Sequence, residues 1–363
     1  MSRKLYIDWL RGVAVLLMIN WHVVDAWTRD DARSVSLFVP ITYLAGWAAP
    51  LFLFLAGVAV ALAGAAKVSK GATRAAAARA LMIRGWQVFA IAHLFRLQSF
   101  LLNPGATWES LLKPDVLNIL GLGIVVSAWC WKHATSPRAE ALWLIAPAAA
   151  AVLLTAPSRA WQWPSLLHPR LEAYIRPVGD QGVFTLFPTI AFVIAGTYVG
   201  ALLARAPRAT RRLGLDDDSY RHGALALAGV TLVAISEIGV RLPRVAPSAW
   251  IEPAWFVVGR TGAMILTLVG SWILMRHADP SRWRPLVVFG RTSLFVYWVH
   301  VELAYGVFSY PLHHALSLTQ SLVAYVIFTV VMFGAATLWL NRRKGPLIPP
   351  HMAAARLRQP VNP

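Results

Sequence analysis

Asp8, Arg11, His22 and Asp25 all fall within the first long apolar stretch of the chain, around the run IDWLRGVAVLLMINWH (Ile7 to His22). On a helix, the eleven residues from Arg11 to His22 leave the two about 20° from one face and ~16 Å apart along the axis. Asp8 can pair with Arg11 at i, i+3, which lowers the cost of burying either one. Asp25 stands in the same relation to His22 and is placed to orient its imidazole. A second set lies in RALMIRGWQVFAIAHLFRLQSF, which carries Arg84, His93 and Arg96. A third lies in FGRTSLFVYWVHVELAYG, where Ser293, Tyr297 and His300 follow i, i+4, i+7 spacing and share a face. Arg291 and Glu302 take roughly the opposite face, and Glu302 is expected to pair with Arg96 or Arg260. Arg11, Arg84 and Arg291 would meet at one depth, and planar guanidinium groups suit phosphates. His22, His93 and His300 would lie beyond them. An anionic donor held at one end and a base at the other is a pattern for group transfer.

The elements that must position these groups are membrane spans. The chain has 363 residues, of which 58% are hydrophobic and 14% charged, well below the roughly 25% charge of a soluble domain. Apolar blocks recur at the length of about 20 residues needed to cross hydrocarbon. They predict an all-α, polytopic transmembrane helical bundle of about ten spans, near 5–27, 40–66, 79–102, 115–131, 139–157, 183–204, 223–240, 255–275, 286–308 and 318–341. An ionisable side chain at bilayer depth costs at least a few kcal/mol unless it faces the protein interior or water. The groups above are therefore expected to be functional.

Charge distribution sets the expected orientation. With a cytoplasmic N-terminus, 21 of the 34 Lys and Arg residues fall on the cytoplasmic side, 8 outside and 5 within spans. Both termini are thus expected in the cytoplasm, with a transmembrane domain over 1–341 and a basic cytoplasmic tail over 342–363. The net charge of +18 is placed against anionic lipid rather than nucleic acid. The lone Cys130 excludes an intramolecular disulfide and a cysteine-based zinc site. No metal is expected. The outer segment SRAWQWPSLLHPRLEAYIRP mixes aromatic, Pro and Arg residues and suits an interfacial position.

YIDWLRGVAVLLMINWH resembles the first helix of the integral-membrane acyltransferases. Within them it is most similar to bacterial proteins resembling the catalytic domain of heparan-α-glucosaminide N-acetyltransferase. AAPLFLFLAGVAVAL (Ala48 to Leu62), LFPTIAFVIAGTYVGALL (Leu186 to Leu203) and FGRTSLFVYWVH (Phe289 to His300) resemble later helices of that group, in the same order. The resemblance implies an inner-membrane, multi-pass acyltransferase. Its donor would be cytoplasmic acetyl-CoA or another acyl-CoA, used as a substrate, with no permanently bound cofactor. Its acceptor would be a glycan or glycolipid at the outer face, and its surroundings membrane lipids. It implies His22 as the catalytic histidine and Arg11 as a donor-site residue. The residues extend this to Asp25 and His300 beside His22, to Arg84, Arg291 and Asp8 at the donor, and to His93, Arg96, Tyr297 and Ser293 at the acceptor. A homodimer is one assembly left open. The rival reading is a transporter or proton-coupled permease using the buried Arg, His and Glu residues as its path.

Overall fold

The computed structural model describes residues 4–102, 106–179, 184–205, 216–241, 248–277, 279 and 283–342. Among these no strand forms; Thr28 and Leu316 make an isolated parallel bridge. The chain is all-helical and divides into two compact units, one of residues 1–48 and 271–363, the other of residues 49–270. The loop containing Gly214 and the tail beyond Arg342 lie outside the described residues.

The first unit is built on α1 (Leu5–Trp27), followed by the short α2 (Phe38–Ala45). No Pro interrupts α1. Ala14, Val15, Met18, Ile19 and Val23 recur at three- and four-residue intervals and are buried together. In the second unit, α3 (Ala48–Val68, from Ala49 on) packs against α10 (Leu186–Ala204), and α4 (Arg74–Leu102) packs against α5 (Val116–His133). Glycines set how closely these helices cross. A Cβ added at Gly57 would strike the Val193 carbonyl, and one at Gly196 the Phe54 carbonyl. Gly196 and Gly200 have the four-residue spacing that lets membrane helices meet backbone to backbone. Gly85 and Gly121 do the same for α4 and α5, each facing the other's carbonyl at 2.8–2.9 Å from a Cβ position.

The interval expected to span 139–157 is helical but broken. α6 (Pro137–Glu140) passes through a π-helical turn (Ala141–Ile145) into α7 (Ala146–Leu153), and α8 (Thr155–Ala160) follows. Pro147 and Pro157 lack the N–H groups that would continue a regular ladder across these points. The rest of the second unit comprises α9 (Pro169–Ile175), α11 (Asp217–Arg241) and most of α12 (Ser248–His277).

α12 leads back to the first unit, which closes with α13 (Arg284–Arg291), α14 (Ser293–Tyr305) and α15 (Leu318–Arg342). α13 lies directly on α1: a Cβ at Gly12 would collide with the Leu286 carbonyl, and one at Gly290 with the Asp8 carbonyl. α13 and α14 meet at Thr292 with a bend of 84°. The Thr292 hydroxyl donates to the Val288 carbonyl at 2.8 Å, inside the turn just before the bend. At its other end α1 is tied to α14 and to the start of α15. The Trp27 indole donates to the Ala304 carbonyl at 2.9 Å, and Thr28 bonds Ser321 at 2.9 Å.

Among the described residues, seven helices are long and apolar enough to cross a membrane, and the bent α13–α14 pair makes an eighth if it counts as one span. The other two of the ten expected intervals are the broken 139–157 segment and α4. In α4, Arg84, Gln87, His93, Arg96 and Gln98 dilute an otherwise apolar helix.

Candidate functional site

In the first unit α1 and α14 bring His22 and His300 together. Nδ1 of His22 lies 2.7 Å from Nε2 of His300, and the rings stack at 4.9 Å between centroids. His300 is fully buried, and its Nδ1 lies 2.6 Å from the Val296 carbonyl one turn earlier. These distances assign the protons. A carbonyl oxygen can only accept, so His300 carries its hydrogen on Nδ1. In the neutral ring its Nε2 then holds a lone pair and accepts from Nδ1–H of His22. The lone pair of His22 is left on Nε2, and His22 is only partly buried. The chain of two imidazoles thus holds one histidine in the tautomer of a base with its reactive nitrogen free.

Asp25 does not take the position expected for it. Its carboxylate accepts from the Tyr305 hydroxyl at 2.7 Å, and the imidazole of His22 is held instead by His300. The Tyr305 ring stands edge-on to His22 at 5.6 Å. Tyr305 escaped the spacing argument because it lies about 140° around an ideal helix from His300. Tyr297 packs edge-on to His300 at 5.9 Å between centroids, as its shared face predicts. Ser293 opens α14 directly after the bend, two turns away from His300.

Toward the start of α1, Asp8 is buried and pairs with Arg11 at 3.4 Å. Arg291 follows Gly290, whose backbone touches that of Asp8, so the crossing of α1 and α13 carries both arginines. Arg84 belongs to the second unit, where its guanidinium donates to the Gln87 side chain at 3.3 Å.

His93 and Arg96 also belong to the second unit and sit in a polar cluster at the end of α4. Nε2 of His93 lies 3.2 Å from the side-chain amide nitrogen of Asn118. The acid that pairs with Arg96 is Asp115, at 3.2 Å. Asp115 also caps α5, accepting from the Leu117 amide while Asn118 reaches back to the Asp115 amide. The capping box D-V-L-N was readable in the sequence and would have placed an acid there. The guanidinium of Arg260 lies over the Phe256 ring at 4.4 Å. Glu302 is buried, with Oε1 lacking a hydrogen-bond partner among the described residues.

This histidine contact and the arginines at the α1–α13 crossing meet a match to a known family. Residues 3–234 match the family model for the catalytic domain of heparan-alpha-glucosaminide N-acetyltransferase. The chain belongs to that family. No curated protein matches it. The matched stretch runs from the start of α1 into α11 and includes Arg11, His22, Arg84, His93 and Arg96. As a member of the heparan-alpha-glucosaminide N-acetyltransferase catalytic family, the chain is a multi-pass membrane protein with the chemistry class of an acetyltransferase. His300 and Tyr305 lie beyond the match, so the family signal and the histidine contact reach His22 from different parts of the chain.

Proposed function

We propose that the protein moves an acetyl or other short acyl group from cytoplasmic acyl-CoA to an amine or hydroxyl of a glycan or glycolipid at the outer face of the inner membrane. Residues 1–341 form the catalytic domain, and both termini are cytoplasmic, in keeping with the Lys and Arg distribution. The observation that carries this reading is the His22–His300–Val296 chain in a member of an acetyltransferase family.

Nε2 of His22 takes the acceptor's proton as its nitrogen or oxygen attacks the thioester carbonyl carbon. The carbon–sulfur bond breaks, and the CoA thiolate leaves with a proton, so that one acyl group and one proton exchange partners. The same lone pair also suits a two-step route through acetyl-imidazole on His22. Asp25 and Tyr305 flank the ring. Arg11, oriented by Asp8, serves the donor phosphates with Arg291 across the α1–α13 crossing. Tyr297 and Ser293, on the same helix as His300, serve the acceptor.

Two measurements test the reading. In inside-out vesicles carrying amino-sugar acceptor in the lumen, external labelled acetyl-CoA should acetylate the luminal acceptor. Sealed right-side-out vesicles should stay silent until permeabilised. Equal labelling in both orientations would overturn the sidedness, and uptake of label with no covalent product would establish the transporter instead. Arg11→Ala should raise KM for acyl-CoA by about tenfold or more with a smaller change in kcat, since a guanidinium–phosphate contact acts in binding. Arg11→Lys should recover only part of this, because an ammonium lacks the two-pronged planar contact. A change confined to the acceptor's KM would remove Arg11 from the donor site.

A further inference from the structure

On α4 and α9 of the second unit, three buried hydrogen-bond donors have no partner among the described residues. Arg170, on α9, is 6% exposed, and its Nη1 has no partner. The Tyr174 hydroxyl, one turn later, has none either, and i, i+4 spacing puts both on one face of α9. On α4, Arg96 spends Nη2 on Asp115 while its Nε is buried without a partner.

These groups converge. The Tyr174 ring lies 6.4 Å from that of Phe89, and Phe89 lies 4.9 Å from His93, one turn before Arg96. Burial and the nearby Asp115 carboxylate push the Tyr174 phenol up to about 12 against the opposing influence of Arg96. The hydroxyl therefore stays protonated and remains a donor. Glu172, on the other side of α9, is engaged by Arg176 at 2.5 Å.

An orphaned buried donor costs about 1–3 kcal/mol, and more when charged. Two that meet, and a third one turn away on the same face of α9, point to an acceptor of their own. The charges say what kind: Arg96 and Asp115 cancel, and Arg170 leaves one positive charge out of water. We infer that Arg96, Arg170 and Tyr174 form a binding site for a singly charged oxyanion, either the carboxylate of a sugar acid or the phosphodiester of a lipid headgroup.

Equilibrium binding to the full chain in nanodiscs of neutral lipid tests this whether or not acetyl is transferred. The probes are glucuronate, glucose (the same ring without the carboxylate) and glycerophosphoglycerol, the headgroup of phosphatidylglycerol. At least one of the two anions should bind about tenfold or more tightly than glucose, as expected for charge-assisted contacts. The tighter of the two identifies the source of the oxyanion. Arg170→Gln should erase the difference, and Tyr174→Phe, which removes only the hydroxyl, should reduce it. Without ligand, Arg170→Met should raise the melting temperature, because it removes an unpaired buried charge; a purely structural arginine would do the reverse. Equal binding of all three probes, or full anion affinity retained in Tyr174→Phe and in a folded Arg170→Gln, would overturn the site.

Discussion

His22→Ala should lower acetyl transfer by about 10²–10⁴-fold, the usual contribution of a positioned general base, while leaving donor binding and thermal stability near those of the parent. The donor arginine of α1 lies ~16 Å along the axis from His22, which is why binding should survive. His300→Phe should cost less. It keeps a ring against His22 but removes the acceptor that fixes the tautomer. The His22→Ala, His300→Phe double variant should be no slower than His22→Ala alone, since residues acting as one unit do not add. Steady-state rates with purified protein decide this. Turnover of His22→Ala within a few-fold of the parent would end the case for a base. Additive losses would show that His300 acts on something other than His22.

The second large effect is structural. Gly290→Ala should cause a loss well beyond the ~1–3 kcal/mol of ordinary overpacking, seen as a collapse of monodisperse protein or of the melting temperature in detergent. The obstacle is the Asp8 main chain, which cannot swing aside as a side chain can. Gly334→Ala, on α15 of the same unit, makes the same chemical change with nothing within 4 Å. It should be neutral or mildly stabilising, because Gly in a helix costs about 0.5–1 kcal/mol relative to Ala. Similar behaviour of the two variants would mean that α1 and α13 do not meet backbone to backbone at Gly290.

Local signals made much of this legible in the sequence. The Asp8–Arg11 pair, the shared face of Tyr297 and His300 and most of the helical intervals follow from spacing along one helix. Contacts between helices do not. His22 and His300 are 278 residues apart, and reasoning within α1 offered Asp25 as the nearest partner. The bend at Thr292 carries no proline, so FGRTSLFVYWVH read as one straight helix. Arg96 at bilayer depth needs an acid or an anionic ligand, but Asp115 lies across the α4–α5 connection, and a count of spans does not register a helix cap. Arg170 and Tyr174 sit in a segment whose aromatic and basic composition is also that of a membrane interface.

The histidine pair also sets how many protons the centre can hold. Its far end is a hydrogen on His300 Nδ1 aimed at the Val296 carbonyl, and an amide oxygen passes no proton onward. The pair is a cul-de-sac with room for a single extra proton, and under the proposed chemistry that proton must leave through His22 Nε2, the nitrogen by which it entered. Each acyl transfer would then return its proton locally, to the departing thiolate or to solvent, before the next could begin. Catalysis on this plan draws nothing from the electrochemical gradient across the membrane, and dissipating that gradient with an uncoupler should leave its rate unchanged.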